Sequence, residues 1–191
     1  MTYLLPFLLA CTSTDVSVGD DTSPGKDKDT DPSSLVAPTV VINEFLAMND
    51  SINADSAGQF DDWVEIYNTG TTIVQFDGLY ISDDPAEPLK WALPTGQGID
   101  AGGYALFWAD DDDGEGDSGA PSQGDRHMSF KLSSSGESLL LSYAEGGESV
   151  RVDAIEYGTQ QPNISAARKP DGNEDQPMQY GAPTPDATNG T

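Results

Sequence analysis

Asp110 to Asp113 stand in an unbroken run within "FWADDDDGEGDSGAP" (107–121), and Glu115, Asp117 and Asp125 follow closely, so one stretch gathers the carboxylate oxygens that a hard divalent cation takes as ligands. The spacing is less suitable than the composition. An EF-hand-type loop wants acids at its first, third and fifth positions ahead of a glycine. Counting back from Gly114 puts Asp113 and Asp111 in register but Ala109 at the start. Starting at Asp110 instead puts Gly114 in fifth place, and no glutamate closes either loop. The stretch therefore reads as a solvated acidic loop, its charges screened over about 8 Å in physiological salt. The alternative is a weaker calcium geometry through Asp110, Asp112, Asp113, Asp117 and Asp125.

The same stretch holds "GDSGAP", which resembles the nucleophile motif of chymotrypsin-like proteases and would make Ser118 the nucleophile. A serine of that kind needs a histidine base held by an aspartate. The single histidine, His127, follows nine residues later, whereas that family places its histidine far upstream in a separate motif absent here. No catalytic residue is assigned, and His127 reads as a loop or strand-start residue without special chemistry. Zinc is disfavoured, because one histidine and no free thiol are a poor donor set. Glu65 between Trp63 and Tyr67 could stack and protonate a sugar. It reads first as a structural acid paired with Arg168 or with a backbone amide. Trp91 and Trp108 read as core or edge aromatics.

The elements that must position these residues are strands. "DWVEIYN" alternates, with Val64 and Ile66 on one face and Trp63, Glu65 and Tyr67 on the other. "VVINEFLA", "IVQF", "LYIS", "YALFWA", "MSFKL", "SLLLSY" and "VRVDAIEY" are similarly rich in β-branched, aromatic and leucine residues. Between them stand "NTG", "DG", "DDP", "PTG", "AGG", "SSSG" and "EGG", whose residues supply turn dihedrals. Short strands punctuated this often predict an all-β sandwich in which each apolar face is covered by a second sheet.

The succession "INEFLAMN", "DDWVEIYNTG", "GLYISDD", "KWALP", "IDAGGYALFWAD", "FKLSSSGESLLL", "ARKPDG" and "APTPDATN" resembles the lamin-tail domain from Val40 to about Asn189. The resemblance implies an immunoglobulin-like β-sandwich that serves as an interaction module rather than an enzyme. It also marks Asn43, Glu44, Trp63, Glu65, Asn68, Trp108 and Arg168 as structural motif residues.

Upstream, "MTYLLPFLLACTSTD" places the only cysteine directly after a short apolar run. Leu8, Leu9, Ala10 and Cys11 resemble a bacterial lipobox, with residues 1–10 as signal peptide and Cys11 as the lipidated first residue. Residues 11–38, poor in large apolar side chains and rich in Asp, Ser, Thr and Pro, read as a disordered acidic tether. Residues 39–191 form the sandwich. The expected place is the bacterial cell envelope, anchored by lipid at the outer membrane or cell surface. A net charge of -25, from 8 basic and 33 acidic residues, repels nucleic acid and anionic lipid alike. The expected partner is an envelope or surface protein or a polysaccharide. No cofactor is expected beyond the calcium alternative, in which the acidic loop would serve adhesion or carbohydrate binding.

Overall fold

The computed structural model describes residues 35–111 and 125–191. Cys11, Asp112, Asp113, Asp117 and Ser118 lie outside them. The described residues contain no helix and twelve strands: β1 (Val40–Leu46), β2 (Asp62–Asn68), β3 (Val74–Gln75), β4 (Leu79–Ser82), β5 (Trp91–Ala92), β6 (Gly98–Ile99), β7 (Tyr104–Ala109), β8 (His127–Met128), β9 (Glu137–Glu145), β10 (Glu148–Tyr157), β11 (Ser165–Ala167) and β12 (Gln179–Gly181). Six of them form one sheet in the order β12-β11-β1-β2-β7-β8, four form a second in the order β10-β9-β4-β5, and β3 pairs with β6. The fold is the all-β, immunoglobulin-like sandwich that the strand pattern and the family resemblance imply.

The alternation read in "DWVEIYN" is the alternation observed. Val64 and Ile66 enter the core between the sheets, with Ile42, Phe45, Phe107, Leu139 and Leu141. Phe45 of the larger sheet meets Tyr157 of the smaller one at a ring-centroid distance of 4.5 Å. Trp63 points the other way, into a second apolar cluster with Leu46, Leu106 and Trp108, under Ile52 of the loop that follows β1. The larger sheet is thus covered on both faces, and every residue of β1 is buried. A sheet packed on both faces needs no polar side, which is why this strand reads as a nearly continuous apolar run interrupted only by Asn43 and Glu44.

The β9–β10 hairpin closes through Gly146 and Gly147 at φ 63° and 92°. Two left-handed residues make the turn whose twist matches the flanking strands, and only glycine holds that pair of dihedrals cheaply. One expected strand is mostly absent. "MSFKL" contributes Met128 to β8, while Phe130 and Leu132 fill the core from irregular backbone joined only by an Asp110–Lys131 bridge. Burial rather than pairing holds that segment.

Asn68, at the end of β2, ties two turns to the sheet. Its amide nitrogen donates to the carbonyls of Thr72 at 2.8 Å and Ile99 at 3.0 Å, and its oxygen accepts from the Gly70 amide at 2.9 Å. Asn68→Ala leaves these groups without a side-chain partner and is expected to cost about 2–3 kcal/mol in urea unfolding. A change near zero would show that water replaces the amide fully.

Candidate functional site

Asn43, Glu44 and Glu65 converge on the outer face of the larger sheet, the face that also carries the Trp63 cluster. A register shift between Ile42 and Glu44 makes Asn43 an extra residue in β1, so Ile42 pairs with Ile66 and Glu44 with Glu65. This bulge turns both Asn43 and Glu44 outward while Ile42 and Phe45 stay in the core. Glu44 and Glu65 consequently lie side by side, each 0% exposed.

The segment that follows β11 folds over this pair. Glu44 accepts hydrogen bonds from the Ser165 hydroxyl at 2.5 Å, the Thr184 amide at 3.0 Å and the Thr184 hydroxyl at 3.1 Å. Glu65 accepts from the Asp186 amide at 2.6 Å and from the Asn43 side chain at 3.2 Å. Asn43 also donates to Asp171 at 3.1 Å and accepts from the Gly172 amide at 3.0 Å. Asn189 closes the wrap, its amide group donating to the carbonyls of Asn43 at 3.3 Å and Arg168 at 3.0 Å. Asp171 receives the Asn189 amide and the Tyr104 hydroxyl. Burial raises its pKa, but these bonds and those from Thr188 and Asn43 outweigh it and leave the carboxyl below its usual range.

Burial has the opposite outcome at the paired glutamates. Desolvation pushes Glu65 up to about 8 against the bonds from Asp186 and Asn43, with the neighbouring charges of Glu44 and Asp186 adding to the rise. Glu44 is raised as well, again chiefly by burial.

Arg168 does not pair with Glu65; of the two partners expected for that acid, the backbone amide is the one found. The guanidinium instead meets Asp153 of the opposite sheet through Nη2, at 2.9 and 3.0 Å from the two carboxylate oxygens. Its Nε donates to the Ile42 carbonyl at 2.8 Å, and Asp153 accepts the Ile42 amide at 2.9 Å. The two side chains together satisfy the β1 edge where β11 no longer runs beside it. Sequence reasoning misses Asp153. The signal that could have found it is its parity with Ile155 and Tyr157, both buried, which makes it a charge on a core-facing position.

A second polar group lies at the far edge of the same sheet. β7 and β8 run parallel, with Trp108 opposite His127 and Ala109 opposite Met128, so the acidic stretch connects two parallel neighbours. Alternation puts Trp108 and Asp110 on one face, and the register sets His127 beside them. Asp110 is accordingly a buried residue rather than one of the solvated oxygens of a loop: its Oδ2 lies 2.6 Å from His127 Nδ1, the side chains being 6% and 1% exposed. His127 does begin a strand, but the expectation that it lacks special chemistry does not describe this environment. Asp125, expected among loop oxygens, accepts the Ser56 amide at 2.7 Å and a bond from the Trp108 side chain. One ligand-capable atom from each of Asp55, Asp125 and His127 lies within 4.8 Å of the others. Sequence reasoning misses Asp55 too, since nothing local in "NADSAGQ" distinguishes it from other loop aspartates.

The family model described as Lamin Tail Domain matches residues 34–159. The match takes in both sheets' central strands, the paired glutamates and Asp153, and ends ahead of β11 and the segment that covers the pair. No curated protein matches the sequence.

Proposed function

The chain belongs to the Lamin Tail Domain family, and from that premise we propose that it is a non-catalytic binding or structural module of the bacterial cell envelope. In this reading Cys11 carries the lipid, residues 11–38 are the tether, and the sandwich meets a surface protein or an envelope polymer. The observation that carries the non-catalytic part is the burial of the carboxylate pair. All four oxygens of Glu44 and Glu65 accept hydrogen bonds from the protein itself, under the strap that includes Thr184 and Asp186. A substrate would have to displace that strap to reach them. Of the two aromatics that would stack on a sugar beside Glu65, Trp63 is 0% exposed and Tyr67 is half-buried with its ring 5.0 Å from that of Tyr104. The motif polar groups are thus engaged in holding strands and strap together, which leaves recognition to the outer surface.

The calcium-dependent alternative draws no comparable support. Of its five aspartates Asp110 is buried against His127, Asp112, Asp113 and Asp117 lie outside the described residues, and Asp125 alone is left, short of the six to eight oxygens that calcium takes.

Expression of the full-length protein in a lipoprotein-processing bacterium tests the assignment. The parent is expected to take up labelled fatty acid and fractionate with membranes, and Cys11→Ser to do neither. Labelling that survives the substitution overturns the anchor. The purified full-length protein and its Glu65→Gln variant are expected to bind immobilised envelope polysaccharide or surface protein equally and saturably. Polymer cleavage by the parent that disappears in Glu65→Gln would make the protein an enzyme.

A further inference from the structure

We propose that Asp55, Asp125 and His127 form a binding site for a divalent transition-metal cation of the zinc class, with Asp110 orienting the imidazole. The sequence argument against zinc rests on donor types counted along the chain. Folding instead brings together one imidazole and two carboxylates from separate segments, a set of three protein ligands that leaves a fourth position for water or another donor. The nitrogen donor selects the metal class: imidazole suits zinc and its transition-metal neighbours, whereas calcium is satisfied by oxygens and wants about six to eight of them.

The imidazole has the second contact that ligating histidines use. Asp110 Oδ2 sits 2.6 Å from Nδ1 in a pair that is almost wholly buried. A carboxylate there fixes the proton on Nδ1, so that the nitrogen able to ligate is Nε2, and it raises the basicity of that nitrogen. The carboxylates are steadied too. Asp125 Oδ2 accepts the Ser56 amide at 2.7 Å, and Asp55 Oδ1 accepts the Gln59 amide at 2.7 Å. A carboxylate has about four lone-pair sites, so such a bond orients the group without preventing ligation.

The spacing is close to what a metal requires. Ligands on a tetrahedral zinc, each about 2.0–2.1 Å from the ion, stand about 3.4 Å from one another. The three donor atoms, within 4.8 Å, need draw in by at most about 1.4 Å. Of the three ligands, Asp125 also lines a cavity of about 220 Å³ with Asn53, Trp108 and Arg126, whereas Asp55 and His127 lie outside its lining. An ion held by the three would clip the loop carrying Asp55 to the start of β8, over the cluster containing Trp63 and Trp108.

A protein with 33 acidic residues attracts cations loosely everywhere, so the test must separate a built site from that background. Calorimetric titration of the full-length protein with zinc chloride at physiological salt is expected to show one saturable site, undisturbed by excess calcium. Asp55→Asn and Asp125→Asn are each expected to weaken it at least about ten-fold, and Asp110→Asn by about 10- to 100-fold through the imidazole. Glu148→Gln, an exposed acid on the opposite sheet, should leave it unchanged. A readout free of any substitution comes from the single histidine, whose imidazole ¹⁵N signals give an unambiguous spectrum. Zinc should fix the Nδ1–H tautomer and move the Nε2 resonance at one equivalent. Unmoved imidazole signals at saturation, or an equal loss of affinity in Glu148→Gln and Asp55→Asn, would overturn the site.

Discussion

Arg168→Met is expected to destabilise the protein by about 3–5 kcal/mol, read as a lower urea midpoint. The substitution leaves Asp153 as a buried carboxylate facing apolar surroundings. At 7% and 6% side-chain exposure neither partner can turn to water. Asp153→Leu should cost a similar amount, for it strands the guanidinium and removes the acceptor of the Ile42 amide. The double variant is expected to be clearly more stable than the sum of the two losses, because no lone charge remains. It should still fall short of the parent, since the Ile42 amide and carbonyl both lose their partners on the β1 edge. Arg168→Lys is no substitute, because a single ammonium cannot reproduce the planar fork that reaches Asp153 and the Ile42 carbonyl together. Additive losses below about 1 kcal/mol each would show that the pair is solvated and does not join the sheets.

Stability is expected to fall as pH rises from about 5 to 9, in a manner that Glu65→Gln largely removes. The folded protein holds Glu65 at about 8, against an ordinary value of 4.5. Folding therefore favours the protonated form. Its contribution is complete below about pH 4.5 and is lost as pH passes through 8. The loss is on the order of 2–4 kcal/mol, enough to lower the melting midpoint by roughly 5–15 °C. Desolvation also raises Asp62, to about 6, and raises Glu44, so both incline the curve the same way at the acid end of the window. Asp125 and Asp171, held below their usual range, act oppositely: their contribution is whole above the unfolded value near 3.8 and disappears as pH falls below it. Glutamine mimics the protonated acid, so the variant should match the parent at pH 5 and exceed it at pH 9. Parallel melting profiles for parent and variant would mean that the strap admits water to the carboxylate. The effect belongs to the strap as much as to the acid, because Thr184 to Asn189 are what exclude solvent.

The longer strands were legible because period-two alternation and turn residues are local properties of a polypeptide, whereas the short β5, β6, β11 and β12 were not among the expected strands. β2 and β7 coincide with the segments "DWVEIYN" and "YALFWA", and the motif succession led to the family. Two of the buried acids, Glu44 and Glu65, were equally visible through the family motif, whereas Asp55, Asp110 and Asp153 were not. Nor were the partners. The expected pairing gives Arg168 the wrong acid, since Asp153 meets it only when two sheets close face to face, and sequence separation carries no information about that approach. The bulge at Asn43 was equally hidden, because one extra residue in a ladder is defined by the strand opposite it.

The clearest division falls within the acidic stretch. Sequence alone determined that carboxylates crowd residues 110–125. Only the tertiary structure decided that Asp110 leaves that crowd for the interior, that Asp125 turns toward Ser56, and that Asp55 arrives from a distant loop to meet them at His127. The physical reason is the parallel pairing of β7 and β8: it returns the backbone to the side of the strand it had just left, and that return is set by packing against the rest of the sheet rather than by any neighbour in sequence.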